Sequence, residues 1–342
     1  MRLAPLVVIT AAILCCAITL GTLVWHGNLP YKGHPGDTVI VVVEPGRPAR
    51  AAAAALEQAG VIRSALAFRL LMRVRRAEGA LHAGEYAFSG ALTPSQVLDK
   101  LVRGEVVRHK LTIPEGLRLD EIARVVEASG LGRKDAFLRA AGDAALVADL
   151  DPEARDLEGY LFPDTYHVPR GVDESRLVAE MVGRLRRELT PERRARLEQL
   201  GLSVRQALTL ASLVEEEAGL DEERPRIAAV FHNRLRMGMP LQCDPTVVYA
   251  LIKDGRYRGD IFRSDLSYRS PYNTYVFRGL PPGPISSPGA PSLDAVLRPA
   301  PTEDLYFVVS GPGRHFFSTN IKDHEQAVRR YRRDLSLVRR AP

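Results

Sequence analysis

Cysteine is scarce in this chain. Of the three present, Cys15 and Cys16 lie in the first apolar run, which leaves Cys243 alone in the rest of the sequence. A disulfide-built secreted scaffold and a four-cysteine metal cage are excluded, whereas a large extracytoplasmic domain that folds on its core alone is not. The eight histidines show no ligand spacing, and there is no His-Glu-x-x-His pair, no phosphate-binding loop and no Gly-x-Ser-x-Gly elbow. Neither a catalytic metal nor another cofactor is expected. With 27 glycines and 24 prolines in 342 residues, collagen-like and heptad-repeat architectures are also excluded. The excess of one charge sign is small, 47 basic against 41 acidic residues, or +6. That balance fits a membrane-proximal or polyanion-facing protein, and no nucleic-acid partner is expected. A composition 46% apolar and 26% charged is globular, and the length suggests two or three domains.

The first feature present is an uncharged stretch from Leu3 to Trp25, 23 positions rich in Leu, Val, Ile and Ala. A helix rising about 1.5 Å per residue needs ~20 residues to cross the hydrocarbon. The run exceeds a signal-peptide core and lacks a small-x-small cleavage site after it, so a retained single-pass helix is expected over a cleaved signal. Trp25 stands at an interfacial position, and Arg2 favours an N-terminus inside with the body outside.

Beyond a Gly/Pro-containing linker, Val39–Val43 reads as a strand, and helices are expected over 49–59, 64–76 and 93–103, with a strand over 84–88. In the second helix, Leu66, Leu70 and Val74 read as the apolar face and Arg69, Arg73 and Arg76 as the basic one. An internal echo then appears at a constant offset of 70 residues. Val43-Glu44-Pro45-Gly46, Ala53, Glu57 and Gly60-Val61 are matched by Ile113-Pro114-Glu115-Gly116, Ala123, Glu127 and Gly130-Leu131. A strand, turn and helix used twice is expected, either as a glycan-binding module or as packing scaffold. Further on, helices are expected over 135–150, 175–189, 203–218, 224–237 and 324–340. A loop is expected over 270–293 and a strand pair over 305–309 and 314–319.

The helix over 203–218 carries the best catalytic candidate. At 100° per residue, Ala207, Leu210, Ala211 and Val214 form one stripe, with Glu217 about 20° from Leu210. Glu216 points to the opposite side and Glu215 flanks. A carboxyl in an apolar wall favours its neutral form, which is what a general acid at neutral pH requires. The same glutamates also read as a solvated helix end. Elsewhere, Gln242-Cys243-Asp244-Pro245-Thr246 reads as a helix-capping turn, and Pro271-Tyr272-Asn273-Thr274-Tyr275 combines aromatic faces with an amide suited to sugar recognition.

Four stretches taken together resemble the endolytic murein transglycosylase, or YceG-like, family. They are E-G-Y-L-F-P-D-T-Y over 158–166, L-A-S-L-V-E-E-E-A-G over 210–219, V-F-H-N-R-L-R-M-G-M-P-L-Q-C-D-P-T over 230–246, and S-P-Y-N-T-Y-V-F-R-G-L-P-P-G-P-I-S-S-P-G over 270–289. The resemblance runs from the apolar run to about Ala327. It implies an α+β fold: an N-terminal transmembrane helix (1–26), a linker (27–37), a small LysM-like α/β module (38–108) and a larger mixed α+β catalytic domain (109–342). It implies Glu217 as the catalytic residue, and Glu158, Tyr160, Tyr166, Asn233, Gln242, Asp244, Asn273 and Tyr275 as residues that hold sugar or shape the cleft. The implied substrate is the glycan strand of peptidoglycan and the implied product a 1,6-anhydromuramyl end. The implied location is the inner membrane, near peptidoglycan synthases. Glu216, His232 and Cys243 depart from the family's usual lysine, apolar or aromatic residue, and Thr or Ser. A non-enzymatic peptidoglycan-binding scaffold and a water-using muramidase are the alternatives.

Overall fold

The computed structural model describes residues 29–338, with side chains to residue 333. The transmembrane helix expected over 1–26 lies outside these residues. Among the described residues, no helix is long and apolar enough to cross a membrane. The fold is mixed α+β. The described residues up to His109, with His167–Gly171, form one compact unit; Lys110–Tyr166 and the described residues from Val172 onward form the other.

In the first unit, β1 (Thr38–Val43) pairs antiparallel with β2 (Gly84–Ser89), Thr38 opposite Ser89 and Val43 opposite Gly84. Between them run α1 (Ala49–Gln58) and α2 (Ala65–Val74), and α3 (Pro94–Val102) follows. The strand period of two turns Val41 and Val43 inward and leaves Ile40 and Val42 exposed. Leu56, Phe68, Met72, Tyr86, Phe88, Leu98 and Leu101 fill the core. The Ser64 hydroxyl caps α2 by accepting the Ala67 N–H at 3.3 Å, and Thr93 and Gln96 form a capping box on α3.

The expected packing face of α2 is reversed. Phe68 and Met72 point inward, while Leu66, Leu70 and Val74 are 74%, 49% and 73% exposed. Ahead of β1, the chain is fastened to this unit. Tyr31 and Leu92 exchange backbone hydrogen bonds of 3.0 and 3.2 Å, and the Gly33 N–H donates to the Gly60 carbonyl at 2.8 Å.

The pattern recurs, for the most part within the second unit. β3 (His109–Ile113), α4 (Leu119–Ala128), α5 (Lys134–Ala141) and β4 (Asp164–Val168) make a second β-α-α-β arrangement, with β3 and β4 paired. The offset of 70 holds at both ends of α1 and α4. It holds also in the turns, where Gly46 (φ 74°) and Gly116 (φ 77°) both take the left-handed conformation. The helix expected over 135–150 is shorter, ending at Ala141 before a 3-10 turn over Ala144–Val147.

There follow α6 (Glu174–Glu188), α7 (Pro191–Leu200), α8 (Val204–Glu217), α9 (Arg224–Arg236), α10 (Asp244–Lys253), α11 (Ala290–Leu297), the hairpin β5 (Tyr306–Gly311) and β6 (Arg314–Ser318), and α12 (Ile321–Val338). α8 is the centre of this unit. Every residue from Ala207 to Val214 is buried, and α9, α10 and α11 pack around it. A single apolar stripe therefore understated it, since a helix surrounded by others is buried all round.

Two other expectations change. α7 was not foreseen, because P-E-R-R-A-R-L-E-Q-L buries only Leu197. Arg193 holds it in place through Asp294, at 2.8 and 2.9 Å. The loop expected over 270–293 ends at Gly289, and α11 starts with Pro291 in its first turn, where a missing N–H costs nothing. The basic face of α6 is partly neutralised: Arg184 pairs with Asp164 and Glu188 at 2.6 and 2.5 Å, and Arg186 with Asp149 at 2.5 Å.

Candidate active site

The three glutamates that close α8 have three different environments. Glu215 is buried in an ion pair with Arg224 at 2.8 Å and accepts the Gly289 N–H at 2.9 Å. It fastens the end of α8 to α9 and to the start of α11, with one partner on each carboxylate oxygen. Glu216 is exposed and lines a cleft of about 270 Å³ with Arg118, Asp244, Pro245, Val248, Tyr249 and Ile285. Glu217 is half-buried. Its carboxyl sits against the Cys243 thiol, with Asp244, Glu216 and Arg234 near enough to act on it.

Desolvation dominates at Glu217 and pushes its pKa up to about 7, from an ordinary 4.5. The Cys243 thiol and the Arg234 charge pull it down, while Asp244 and Glu216 push it up. Glu216 is also raised, first by desolvation. Burial in turn pushes the Cys243 thiol up, with the Glu217 carboxyl adding to the effect.

Two segments of irregular chain pack together beside the cleft, and the second gives Ile285 to its lining. In the first, Gly159 takes φ 80°, and a Cβ there would lie 2.2 Å from the Pro284 side chain. Only glycine lets the 158–166 segment and the 270–289 loop approach so closely. Beside it, Glu158 accepts the Leu119 N–H at 3.0 Å and the Tyr249 hydroxyl at 3.3 Å. Desolvation raises Glu158 to about 8. The loop crosses the end of α8, with the Ile285 N–H donating to the Ser212 hydroxyl at 3.1 Å. It then pairs with the second echo turn: Gly116 N–H to Ser287 C=O and Ser287 N–H to Leu117 C=O, both 2.9 Å. The Ser286 hydroxyl faces the Glu216 carboxyl, and the buried Ser287 hydroxyl has no hydrogen-bond partner among the described residues.

A third segment brings in the 242–246 turn. Gln242 adopts φ 52°, unusual for a residue with a side chain. Its N–H donates to the Thr274 carbonyl at 3.2 Å, and the Cys243 N–H donates to the Thr274 hydroxyl at 3.0 Å. Arg234 holds the turn from inside, donating to Leu241 C=O at 2.7 Å and to Leu305 C=O at 2.7 Å. Its guanidinium also lies 5.1 Å from the Tyr306 ring centroid. The Tyr275 hydroxyl donates to Asp244 at 2.5 Å.

The structure thus gathers Glu217, Gln242, Asp244 and Tyr275 around one end of α8, with Glu158 bordering the cleft through Tyr249. Four of the expected residues are instead scaffold. The Tyr160 hydroxyl donates to Asp151, which Arg205 at the start of α8 grips at 2.7 and 2.8 Å. The Tyr166 hydroxyl donates to Phe162 C=O at 2.5 Å. Asn233 donates to the carbonyls of Thr302 and Asp304, both at 2.9 Å, and Asn273 to Leu266 and Tyr268 at 3.1 and 2.8 Å. All four are buried, with their polar atoms engaged within the protein. Arg118, Tyr249 and Arg234 were not singled out in the sequence. Tyr249 had a readable signal, standing five residues after Asp244 in D-P-T-V-V-Y.

A raised carboxylic acid at the end of a core helix, beside residues that line a cleft, is an arrangement suited to general acid–base chemistry. The YceG-like family model matches residues 41–330, and the chain belongs to that family. An endolytic murein transglycosylase of Bacillus subtilis is 31% identical over 317 residues, which cover 88% of this chain and 87% of that protein. One from Streptococcus pneumoniae is 31% identical over 329 residues, covering 88% of this chain and 59% of that protein. A crystal structure of a YceG-like protein from Listeria monocytogenes superposes with a TM-score of 0.58 at 33% identity, covering 85% of this chain and 98% of that one.

Proposed function

We propose that this chain is an endolytic murein transglycosylase that cleaves peptidoglycan glycan strands, with Glu217 as its acid. The observation that carries this reading is the half-buried Glu217 carboxyl, raised to about 7 beside Glu216 and Asp244, which line the cleft. Near neutral pH a large fraction of it is protonated. It donates that proton to the oxygen bridging N-acetylmuramic acid to N-acetylglucosamine, and an oxocarbenium-like state develops as the bond breaks. The new carboxylate takes the proton of the muramyl C6 hydroxyl, and O6 closes on C1. The products are a 1,6-anhydro end and a free N-acetylglucosamine hydroxyl. No water is consumed, and one carboxyl serves as acid and then as base. Gln242, Asp244 and Tyr275 are the groups that meet sugar. Hydrolysis by a second carboxylate finds less support, since Asp164 is committed to an ion pair with Arg184 away from the cleft lining and Asp244 accepts from Tyr275.

The same reading places residues 1–26 as a single-pass anchor with the body outside, 38–108 as a LysM-like module and 109–342 as the catalytic domain. Cleavage would act on nascent strands close to the membrane, beside peptidoglycan synthases. The test is incubation of the full-length protein in detergent with uncrosslinked glycan strands, followed by mass spectrometry of the new ends. Ends lighter by one water are expected. Glu217→Gln is expected to abolish them, while Glu216→Gln keeps them. Cleavage retained by Glu217→Gln sinks the assignment. Reducing ends would make the protein a muramidase, and binding to sacculi without any new ends would make it a scaffold.

A further inference from the structure

We propose that the outward face of α2, made of Leu66, Leu70 and Val74 with Arg69 and Arg73 beside them, seats on an anionic lipid surface. The inference rests on the anchoring reading above. Among the described residues, Leu66 and Val74 are the two most exposed large apolar side chains, at 74% and 73%. With Leu70 they stand four residues apart and form one stripe. That stripe lies opposite Phe68 and Met72, which are buried, so α2 is apolar on two sides.

The second β-α-α-β copy supplies an internal control. α2 and α5 start 69 residues apart. At that offset, buried Phe68 corresponds to buried Phe137, and Met72 to buried Ala141. The outward positions differ: Leu66 and Leu70 correspond to Asp135 and Arg139 on α5, and Val74 to Asp143 just beyond its end, all exposed. The fold therefore does not require apolar residues there. A helix that faces only water carries charges, as α5 does.

Charge selects the occupant. α2 contains no acidic residue, while Arg69 and Arg73 lie on the side of the stripe. One acid approaches them, Glu78, 3.7 Å from Arg73 at an exposed position. Leucines and a valine bordered by arginines match the boundary of an anionic bilayer, where apolar side chains enter and guanidinium groups meet phosphate.

The tether fixes the reach. The uncharged run ends at Trp25, and the chain is already fastened to this unit at Tyr31. Five residues lie between, so that fastening lies within ~20 Å of the end of the run even when the segment is fully extended. The Tyr31 ring stacks under Arg63 at 5.0 Å, one residue before the Ser64 cap of α2. The point where the chain leaves the anchor and the start of the apolar face are therefore adjacent.

The test uses the full-length chain with Cys15 and Cys16 changed to Ala. Leu70→Cys, and separately Gln58→Cys on the exposed side of α1, carry an environment-sensitive fluorophore. The proteins are placed in vesicles of phosphatidylglycerol with phosphatidylethanolamine, or of phosphatidylcholine alone. A blue-shifted emission at position 70, quenched by lipid-borne quenchers, is expected in the anionic vesicles and weaker in phosphatidylcholine. Position 58 stays water-like. Adding Arg69→Gln and Arg73→Gln moves the anionic result toward the phosphatidylcholine one. Water-like emission at 70 in a protein that resists alkaline carbonate extraction overturns the proposal and leaves the anchor standing. Water-like emission in a protein that carbonate extracts overturns both. A shift that follows the protein-to-lipid ratio and ignores lipid charge assigns the face to a second copy and overturns the proposal.

Discussion

The two β-α-α-β copies share a backbone and differ in use. Val41 and Val43 recur as Leu111 and Ile113, Ala53 and Leu56 as Ala123 and Val126, and Phe68 as Phe137, all buried. The first Pro-Gly turn is open: a Cβ on Gly46 would meet nothing within 4 Å, and the turn borders a groove of about 520 Å³. The second turn is enclosed. Gly116 pairs with Ser287, and a Cβ there would lie 3.5 Å from the Glu216 carboxylate. One local code thus builds an open turn in one place and a turn enclosed beside the cleft in the other. What separates them is the residues that face outward, because the inward ones are interchangeable in kind.

Truncating the shared aromatic gives the largest effect. Phe68→Ala and Phe137→Ala each remove a fully buried ring, and each is expected to destabilise its own unit by about 3–5 kcal/mol. Thermal unfolding followed by calorimetry, together with strand cleavage, checks this. Cleavage should vanish with Phe137→Ala and persist with Phe68→Ala. Equal loss in both would show that the copies are not independent.

The pH dependence set by Glu217 comes next and should appear in the second unit. Glu217 is raised from 4.5 to about 7, so the native state holds a proton that the unfolded chain releases. Its contribution to stability is full below about 4.5 and is lost as pH rises through 7. Glu217→Gln should therefore gain stability relative to the parent as pH increases over that window. In the active protein, cleavage should fall above about pH 7. Asp244→Asn removes a charge that raises Glu217, and should move that limb to lower pH. A limb that stays put in pH–rate profiles would show that another group controls it.

The smallest effect is in the turns. Gly46→Ala and Gly116→Ala both place a side chain in the left-handed region, at about 1–2 kcal/mol each. Only Gly116→Ala should also lower kcat, since only that turn touches the cleft. Equal kcat in the two variants would remove the wall from the mechanism.

The echo was legible because strand, turn and helix are local, and its offset of 70 survives at both ends of α1 and α4. The orientation of α2 was not legible. Its sequence holds two apolar sets, Leu66-Leu70-Val74 and Phe68-Met72, and periodicity does not say which one meets the core. α11 was hidden because Pro291 counts as a loop residue until its place in a first turn is known. In the site, the wheel and the resemblance both led to Glu217. They missed that Glu215 is the most deeply committed of the three glutamates, because its partner Arg224 belongs to the next helix. Tyr160, Tyr166, Asn233 and Asn273 stand in motifs for a reason the sequence does not display: each satisfies buried backbone or a buried ion pair.

Arg234 gives the site a charge that stays fixed through the reaction. It is buried, and among the described residues it has no carboxylate at ion-pair distance, only carbonyl and amide oxygens and the Tyr306 ring. Its charge favours the Glu217 carboxylate, while burial, Asp244 and Glu216 favour the acid, and the second set prevails. On the proposed reading, the site therefore rests with its proton in place, and Arg234 limits how unfavourable the anion is between loss of that proton and its return from the C6 hydroxyl.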